Sequence, residues 1–106
     1  MARIVLGRED CLYLGSLDSK RDWGHSQDYV RAMWMMLQQD EPSDYVVGTG
    51  RTHTVRDLVR IAFACVGVDD WESRVEIDEG YMRPAEVEHL CADASKAHEA
   101  LGWSPK

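Results

Sequence analysis

Two short segments of the chain concentrate residues that could bind a ligand. The first is the loop from Lys20 to His25, which leads into a predicted helix. The guanidinium of Arg21 is a planar fork of donors that suits phosphate oxygens, and the unpaired N–H groups at the start of the next helix would also attract an anion. These residue types fit a phosphate or diphosphate. A surface ion pair between Arg21 and Asp22, with Trp23 packed on the core, would explain the same pattern.

The second segment is the loop around Pro84. Pro84 stiffens the loop and biases Arg83 toward an extended backbone, which would hold the Arg83 side chain out toward a ligand. Tyr81 could stack on a base or a sugar, and Glu86 could accept hydrogen bonds from hydroxyl groups. The alternative is a surface loop that carries a simple Arg83–Glu86 pair.

The other polar residues form no recognisable site. The histidines match no metal-binding spacing, and surface or capping roles are expected for His25, His53, His89 and His98. The chain contains no nucleophile elbow, no Gly-x-Gly-x-x-Gly after a strand and no phosphate loop. The three cysteines, Cys11, Cys65 and Cys91, are odd in number and lack a Cys-x-x-Cys pair, so we expect reduced, mostly buried thiols and no zinc site.

Length and charge restrict the class of protein. A chain of 106 residues forms one domain at most. The net charge of −7 argues against a nucleic-acid partner, although one or two arginines suffice for a small anion. No apolar run approaches the roughly 20 residues that cross a bilayer. Charged residues follow Leu6 closely, which is unlike a signal peptide, so a cytoplasmic location is expected.

The apolar periodicity predicts an α/β fold. Residues 2–8 resemble the end of a helix, and 12–14 a short extended piece. A helix is predicted over 26–39, more buried than a surface helix, and a buried strand over 45–50. The apolar stripe of this helix consists of Val30, Met33, Trp34 and Leu37, widened by Ala32 and Met36.

The second half of the chain shows clear helix boundaries. Thr54 and Asp57 predict a capping box, and Gly67 predicts the end of that helix. A strand over 74–78, with Val75 and Ile77 inward, and a loop over 79–84 follow. The inner face of the capped helix is predicted to be Val55, Leu58, Val59, Ala62 and Val66. The last helix is predicted to have Asp93 as its cap, Ala97 and Leu101 buried, Gly102 as its end and Trp103 in a Schellman contact.

Taken in order, these segments resemble the carboxy-terminal portion of the GDP-mannose 4,6-dehydratase family, which belongs to the extended short-chain dehydrogenases/reductases. The blocks that carry the resemblance span 12–25, 28–39, 81–87 and 93–106, and the resemblance extends over essentially all 106 residues. The one departure we note is Ser16, where the family usually has Asn.

The resemblance implies an NADP-dependent lyase that removes water from GDP-mannose, yielding GDP-4-keto-6-deoxymannose for GDP-fucose biosynthesis. It implies that residues 1–106 are the nucleotide-sugar-binding portion of such an enzyme. The implied fold has three to four helices with short strands and no complete Rossmann domain. The residues implied to contact the GDP moiety are Arg21, Tyr81, Arg83 and Glu86.

The family's Gly-rich cofactor motif, its Tyr-x-x-x-Lys pair and its catalytic Thr and Glu have no counterpart among these residues. We therefore assign no catalytic residue and expect no NADP on this chain. We expect the isolated chain to bind GDP-mannose weakly or not at all, and to be inactive. In the family the helix 26–39 packs with the cofactor sheet, so its apolar stripe would lose cover here, which predicts a homo-oligomer. The alternative is a standalone, non-catalytic interaction or regulatory module derived from the same fold.

Overall fold

A computed structural model describes all residues, 1–106, and shows four α-helices with four short strands. This confirms the predicted α/β class. Two 3-10 turns, Glu72–Arg74 and Glu79–Tyr81, flank the last strand. The elements in chain order are α1 (Ala2–Val5), β1 (Leu12–Leu14), β2 (Lys20–Arg21), α2 (Ser26–Met36), β3 (His53–Thr54), α3 (Val55–Ala64), β4 (Val75–Ile77) and α4 (Ser95–Leu101).

The chain forms two compact units, each made of two separate segments. The first unit comprises Met1–Ser19 and Thr54–Glu88. Its strands β1 and β4 pair in parallel, with Leu12 opposite Val75, Tyr13 opposite Glu76 and Leu14 opposite Ile77. The buried core of this unit consists of Ile4, Val59, Phe63 and Trp71, and Leu12 and Leu14 pack against it.

Helix α3 begins with the predicted capping box. The Asp57 N–H donates to the Thr54 hydroxyl (3.0 Å), and the Thr54 N–H donates to the Asp57 carboxylate (3.1 Å). The predicted inner face is only partly right, because Leu58 and Val66 are about half exposed. The helix faces the core with Val59 and Phe63, which leaves the Leu58 side chain outside the core. Val66 lies beyond the last residue of the helix, Ala64.

The second unit comprises Lys20–His53 and His89–Lys106. Helices α2 and α4 pack together in it, and β2 pairs with β3. The indole N–H of Trp103, which is 1% exposed, donates to the backbone carbonyl of Asp28 at 2.9 Å. The core of this unit consists of Ala32, Ala97, Leu101 and Trp103.

The predicted burial of the α2 stripe is wrong for its four main residues, whereas Ala32 and Met36, predicted to widen it, are fully and partly buried. The side chains of Val30, Met33, Trp34 and Leu37 are 62%, 58%, 62% and 82% exposed. The helix instead buries the opposite face through Ala32, which is fully buried. Two small residues, Ala32 and Ala97, allow α2 and α4 to approach closely, so this face packs in preference to the bulkier stripe. The helix also ends at Met36, three residues before the predicted end.

Three other predictions about burial and strands are wrong. Residues 45–50 are not a ladder strand, and Val46 is 56% exposed. Ile77 is about half exposed rather than inward. Cys65 and Cys91 are exposed, and only Cys11 is partly buried.

The ends of the helices follow the sequence more closely. Gly67 and Gly102 adopt left-handed backbone conformations, with φ of +73° and +64°. Ala97 and Leu101 are buried as predicted, but the Gly102 N–H donates to the His98 carbonyl at 2.9 Å, which is the bond of an αL end rather than of the predicted Schellman end. The first helix is shorter than predicted, since α1 ends at Val5. None of the four helices has the length and apolar character needed to span a membrane.

Candidate functional site

A cavity of about 490 Å³ in the first unit brings together two of the predicted site residues, Tyr81 and Arg83. The volume lies within the range of roughly 300–1,000 Å³ that is common for small-molecule sites. Both side chains are exposed to solvent. The residues that line the cavity are Tyr13, Leu14, Gly15, Gly80, Tyr81, Met82 and Arg83.

The β1–β4 ladder positions the loop that carries Tyr81. After β4 the Asp78 N–H donates to the Leu14 carbonyl at 2.8 Å, which extends the ladder by one more bond. The Asp78 carboxylate then accepts from the Gly80 N–H at 2.8 Å, and the Tyr81 N–H donates to the Asp78 carbonyl at 3.0 Å. These bonds form the 3-10 turn Glu79–Tyr81, so the position of Tyr81 is fixed relative to β1.

Gly15 lies directly against this turn. A Cβ atom built on Gly15 would be 2.6 Å from the carbonyl oxygen of Tyr81, a distance that real Cβ atoms essentially never show. The missing side chain therefore lets the end of β1 contact the backbone of Tyr81. The sequence did not reveal this requirement, because Gly15 and Tyr81 are far apart along the chain.

Glu86 lies on the same loop as Tyr81 and Arg83 but is not among the residues that line the cavity. It is partly buried and engaged in interactions within the protein. The cavity does include Tyr13, which was not predicted to be a site residue. The alternation of Leu12, Tyr13 and Leu14 was the available signal, because two inward leucines in a strand place the tyrosine on the other face.

Arg21 lies in the second unit, whereas Tyr81, Arg83 and Glu86 lie in the first. Its guanidinium Nη1 donates to the carbonyl of Lys20 at 2.7 Å, so the side chain folds back on its own backbone. The following helix start is also less available to an anion than the sequence suggested. The Nδ1 atom of His25 caps it by accepting from the Gln27 N–H at 3.2 Å.

The carboxylate of Asp22, the residue after Arg21, accepts several hydrogen bonds within the second unit. Its carboxylate accepts from the backbone N–H groups of Thr49 (2.9 Å), Gly50 (2.8 Å) and Ala92 (3.2 Å), and from the Thr49 hydroxyl. Burial alone would raise the pKa of Asp22, but the hydrogen bonds from Thr49, Ala92 and Gly50 outweigh it and lower the pKa. The carboxylate therefore joins three loops.

Trp23, which the alternative interpretation of this loop placed on the core, is 39% exposed and is not packed in the core.

The residues present do not fit an NADP site. A dinucleotide pyrophosphate binds where a Gly-rich turn joins a strand to an uncapped helix start. Here the starts of α2 and α3 are both capped by side chains, those of His25 and Thr54. No group of three or more His, Cys, Asp or Glu residues is arranged to hold a metal ion.

Comparison with known sequences gives consistent matches over the whole chain. The sequence model of a family described as GDP-mannose 4,6 dehydratase matches residues 1–106. GDP-mannose 4,6 dehydratase 1 of Arabidopsis thaliana is 51% identical over 106 residues, which is 100% of this chain and 29% of that protein. The human GDP-mannose 4,6 dehydratase is 43% identical over 122 residues, covering 100% of this chain and 33% of its own.

Solved structures agree with these sequence matches. The structure of RMD from Pseudomonas aeruginosa complexed with NADPH superposes with a TM-score of 0.84 at 28% identity, covering 99% of this chain and 34% of that one. UDP-glucose 4-epimerase from Thermotoga maritima, solved with UDP-glucose, gives a TM-score of 0.76 at 30% identity, covering 98% and 32%. The chain thus spans about a third of the length of the proteins it matches.

Proposed function

Because the chain belongs to the GDP-mannose 4,6-dehydratase family, we propose that residues 1–106 form a nucleotide-sugar-binding part of such an enzyme. The reaction proposed for the whole enzyme is the removal of water from GDP-mannose to give GDP-4-keto-6-deoxymannose, with NADP as the hydride carrier. The proposal includes the lyase class, a role in GDP-fucose biosynthesis and a cytoplasmic location, where nucleotide-sugar enzymes of this kind would work.

The cavity that contains Tyr81 and Arg83 is the observation that carries the proposal. The exposed ring of Tyr81 offers a face for a planar ligand, and the guanidinium of Arg83 can form two parallel hydrogen bonds with phosphate oxygens. A nucleoside diphosphate combines these two chemical features. Glu86, on the same loop, adds a carboxylate that can accept hydrogen bonds from hydroxyl or amino groups.

Arg21, in the second unit, is proposed separately as a residue that contacts the GDP moiety, on the resemblance to the family. Its neighbour Asp22 is tied to Thr49, Gly50 and Ala92, which fixes the backbone from which the Arg21 side chain starts. Phosphate binding requires the guanidinium to leave the Lys20 carbonyl.

The chemical step of the reaction is proposed to need residues other than these. A hydride carrier must be seated on a dinucleotide fold, and the starts of the two longest helices, α2 and α3, are capped by side chains. We therefore propose that the purified chain with NADP and GDP-mannose yields no keto sugar. The test is a product assay by mass spectrometry, with the Arabidopsis relative as positive control. A rate above the no-enzyme background would disprove this part.

Ligand binding is tested by NMR titration of the chain with GDP and with GDP-mannose, which detects affinities up to about 10 mM. We expect the amide signals of the loop from Gly80 to Arg83 to shift. Arg83→Gln should weaken binding by about tenfold, because a charge-assisted contact is lost. The matched control is Arg8→Gln, an exposed arginine of the same unit away from the cavity. Unchanged signals in the loop at saturating GDP would contradict the proposal.

The exposed α2 stripe favours a further element of the proposal, a homo-oligomer. Four side chains of the stripe, Val30, Met33, Trp34 and Leu37, are 58–82% exposed and together form an apolar patch, a kind of surface that often marks an interaction site. The stripe carries no charge, so two copies can pack antiparallel on each other around a two-fold axis.

The same surface is the observation behind the alternative function, a non-catalytic interaction module. Nucleotide binding separates the two possibilities, because a purely structural module has no reason to bind GDP at the cavity. A chain that associates but leaves the loop signals unshifted by GDP would favour the alternative.

A further inference from the structure

Tyr13 is the middle residue of β1, and its position follows from strand geometry. Leu12 and Leu14 pack against the core of the first unit, so the side chain of Tyr13 points to the opposite face. Its side chain is 53% exposed. An aromatic ring on an exposed strand face contributes little to the core, which leaves its large apolar face available for another partner.

The parallel pairing of β1 with β4 brings this tyrosine to the rim of the cavity that also holds Tyr81. The register places Tyr13 opposite Glu76, and the bond from the Asp78 N–H to the Leu14 carbonyl (2.8 Å) continues the pairing toward Tyr81. The close approach of Gly15 to the Tyr81 carbonyl then fixes the two backbones against each other. Tyr13, Tyr81 and Arg83 consequently line one cavity of about 490 Å³.

The electrostatic surroundings of Tyr13 keep its phenol neutral. The carboxylate of Glu76 is the largest cause of a raised pKa at Tyr13, with smaller contributions from Cys11, burial, Asp78 and Asp10. A neutral phenol adds no negative charge of its own to that of the neighbouring carboxylates. The guanidinium of Arg83 supplies the positive charge on the same cavity.

We infer that Tyr13 is a further binding residue of the nucleotide site, whose ring stacks on the base of a bound nucleoside diphosphate while Arg83 contacts its phosphates. This inference rests on the proposed function, since it needs a nucleotide in the cavity. Stacking of a base on an aromatic side chain is tolerant of the base but requires the ring. The hydroxyl of Tyr13 is therefore dispensable and its ring is not.

The test compares GDP with inorganic pyrophosphate, which has the charge but no base, in NMR titrations of the chain and its variants. We expect Tyr13→Ser to weaken GDP binding by about tenfold and to leave pyrophosphate binding unchanged. Tyr13→Phe should bind GDP within about twofold of the original chain, because it retains the ring. The control is Leu58→Ala, an apolar residue of similar exposure in the same unit that does not line the cavity.

Tyr13→Leu is a second variant that keeps an apolar side chain suited to a strand but lacks the ring, in case Tyr13→Ser does not fold. It should weaken GDP binding as the Ser variant does. The inference is overturned if the ring-free variants bind GDP as tightly as the original chain, or if they weaken GDP and pyrophosphate equally. If the original chain binds neither GDP nor pyrophosphate, the proposed function itself fails and the inference with it.

Discussion

Asp22 and Thr49, 27 residues apart in the sequence, are joined twice, because the backbone N–H and the hydroxyl of Thr49 both donate to one carboxylate oxygen of Asp22. The other oxygen accepts from the N–H groups of Gly50 and Ala92. Residues 45–50 pair with no strand, and the N–H groups of Thr49 and Gly50 donate to the Asp22 carboxylate instead. It is the main polar link among the loops of the second unit.

Replacing Asp22 with asparagine should destabilise the chain by about 1–3 kcal/mol, because the amide has one acceptor oxygen for donors that now use two. The measurement is the free energy of unfolding in urea. Asp40→Asn, at an exposed acidic residue, is the control and should change that free energy by less than about 0.5 kcal/mol. Equal effects of the two substitutions would show that Asp22 has no special structural role.

The contribution of Asp22 should depend on pH in a defined direction. Its pKa is lowered below the ordinary value of 3.8 in the folded chain, so folding favours the ionised carboxylate. The contribution of ionised Asp22 to the free energy of unfolding is therefore fully present above the unfolded-state pKa, and it is lost as the pH falls through the folded-state pKa. The difference in unfolding free energy between the original chain and Asp22→Asn should shrink as the pH falls below about 4, through the lowered folded-state pKa. A difference that grows on acidification would contradict this assignment.

Gly15→Ala should both destabilise the chain and weaken GDP binding. The new methyl group would meet the carbonyl oxygen of Tyr81 at 2.6 Å, and relieving the clash by backbone movement costs about 1–3 kcal/mol. Gly7→Ala is an informative control, since its methyl group meets nothing within 4 Å but the residue has a φ of +64°. That control should cost roughly 1 kcal/mol and leave GDP binding unchanged. Thermal unfolding and GDP titration measure the two effects.

The double substitution Trp34→Gln, Leu37→Gln should shift the chain toward the monomer. Both side chains are exposed on the α2 stripe, so their replacement removes apolar contact without opening the core. We expect the dimer dissociation constant in sedimentation velocity to rise at least about tenfold. Leu58→Gln, which is 47% exposed in the first unit, should leave association unchanged. Monomeric behaviour of the original chain at high concentration would reject the proposed interface.

Trp103→Phe should destabilise the chain by about 2 kcal/mol, since it removes the indole donor to the Asp28 carbonyl and leaves a gap in the core. Trp103 is 1% exposed, whereas Trp23 is 39% exposed and serves as the comparison. Trp23→Phe should change the unfolding free energy by less than about 0.5 kcal/mol. Similar losses at the two positions would mean that the Trp103 hydrogen bond contributes nothing measurable.

The sequence predicted local features well, because their causes are local. The capping box of Thr54 and Asp57 involves residues three apart, and the left-handed Gly102 ends α4 where the pattern indicated. Tyr81 and Arg83 could be grouped because they share one short loop. Each of these features depends on side chains within a few residues of one another.

Features that depend on distant partners could not be predicted in the same way. Periodicity grouped Trp34, Leu37 and Ala32 in one broad apolar face of α2, but it could not show that only the part of this face around Ala32 would pack. The hydrogen-bond partners of Asp22 are 27, 28 and 70 residues away, so no local sequence pattern could indicate them. Tyr13 joins the cavity only through the pairing of β1 with β4, which lies in the other half of the chain.

The alternation of the two units along the chain has a consequence for synthesis on the ribosome. The segment Thr54–Glu88 separates the two parts of the second unit, and Trp103 reaches back to Asp28 across 75 residues. Contacts of such high sequence separation form slowly and only after a large loop has closed. Helix α2 must therefore remain without its partner α4 until residues 95–101 have emerged from the ribosome.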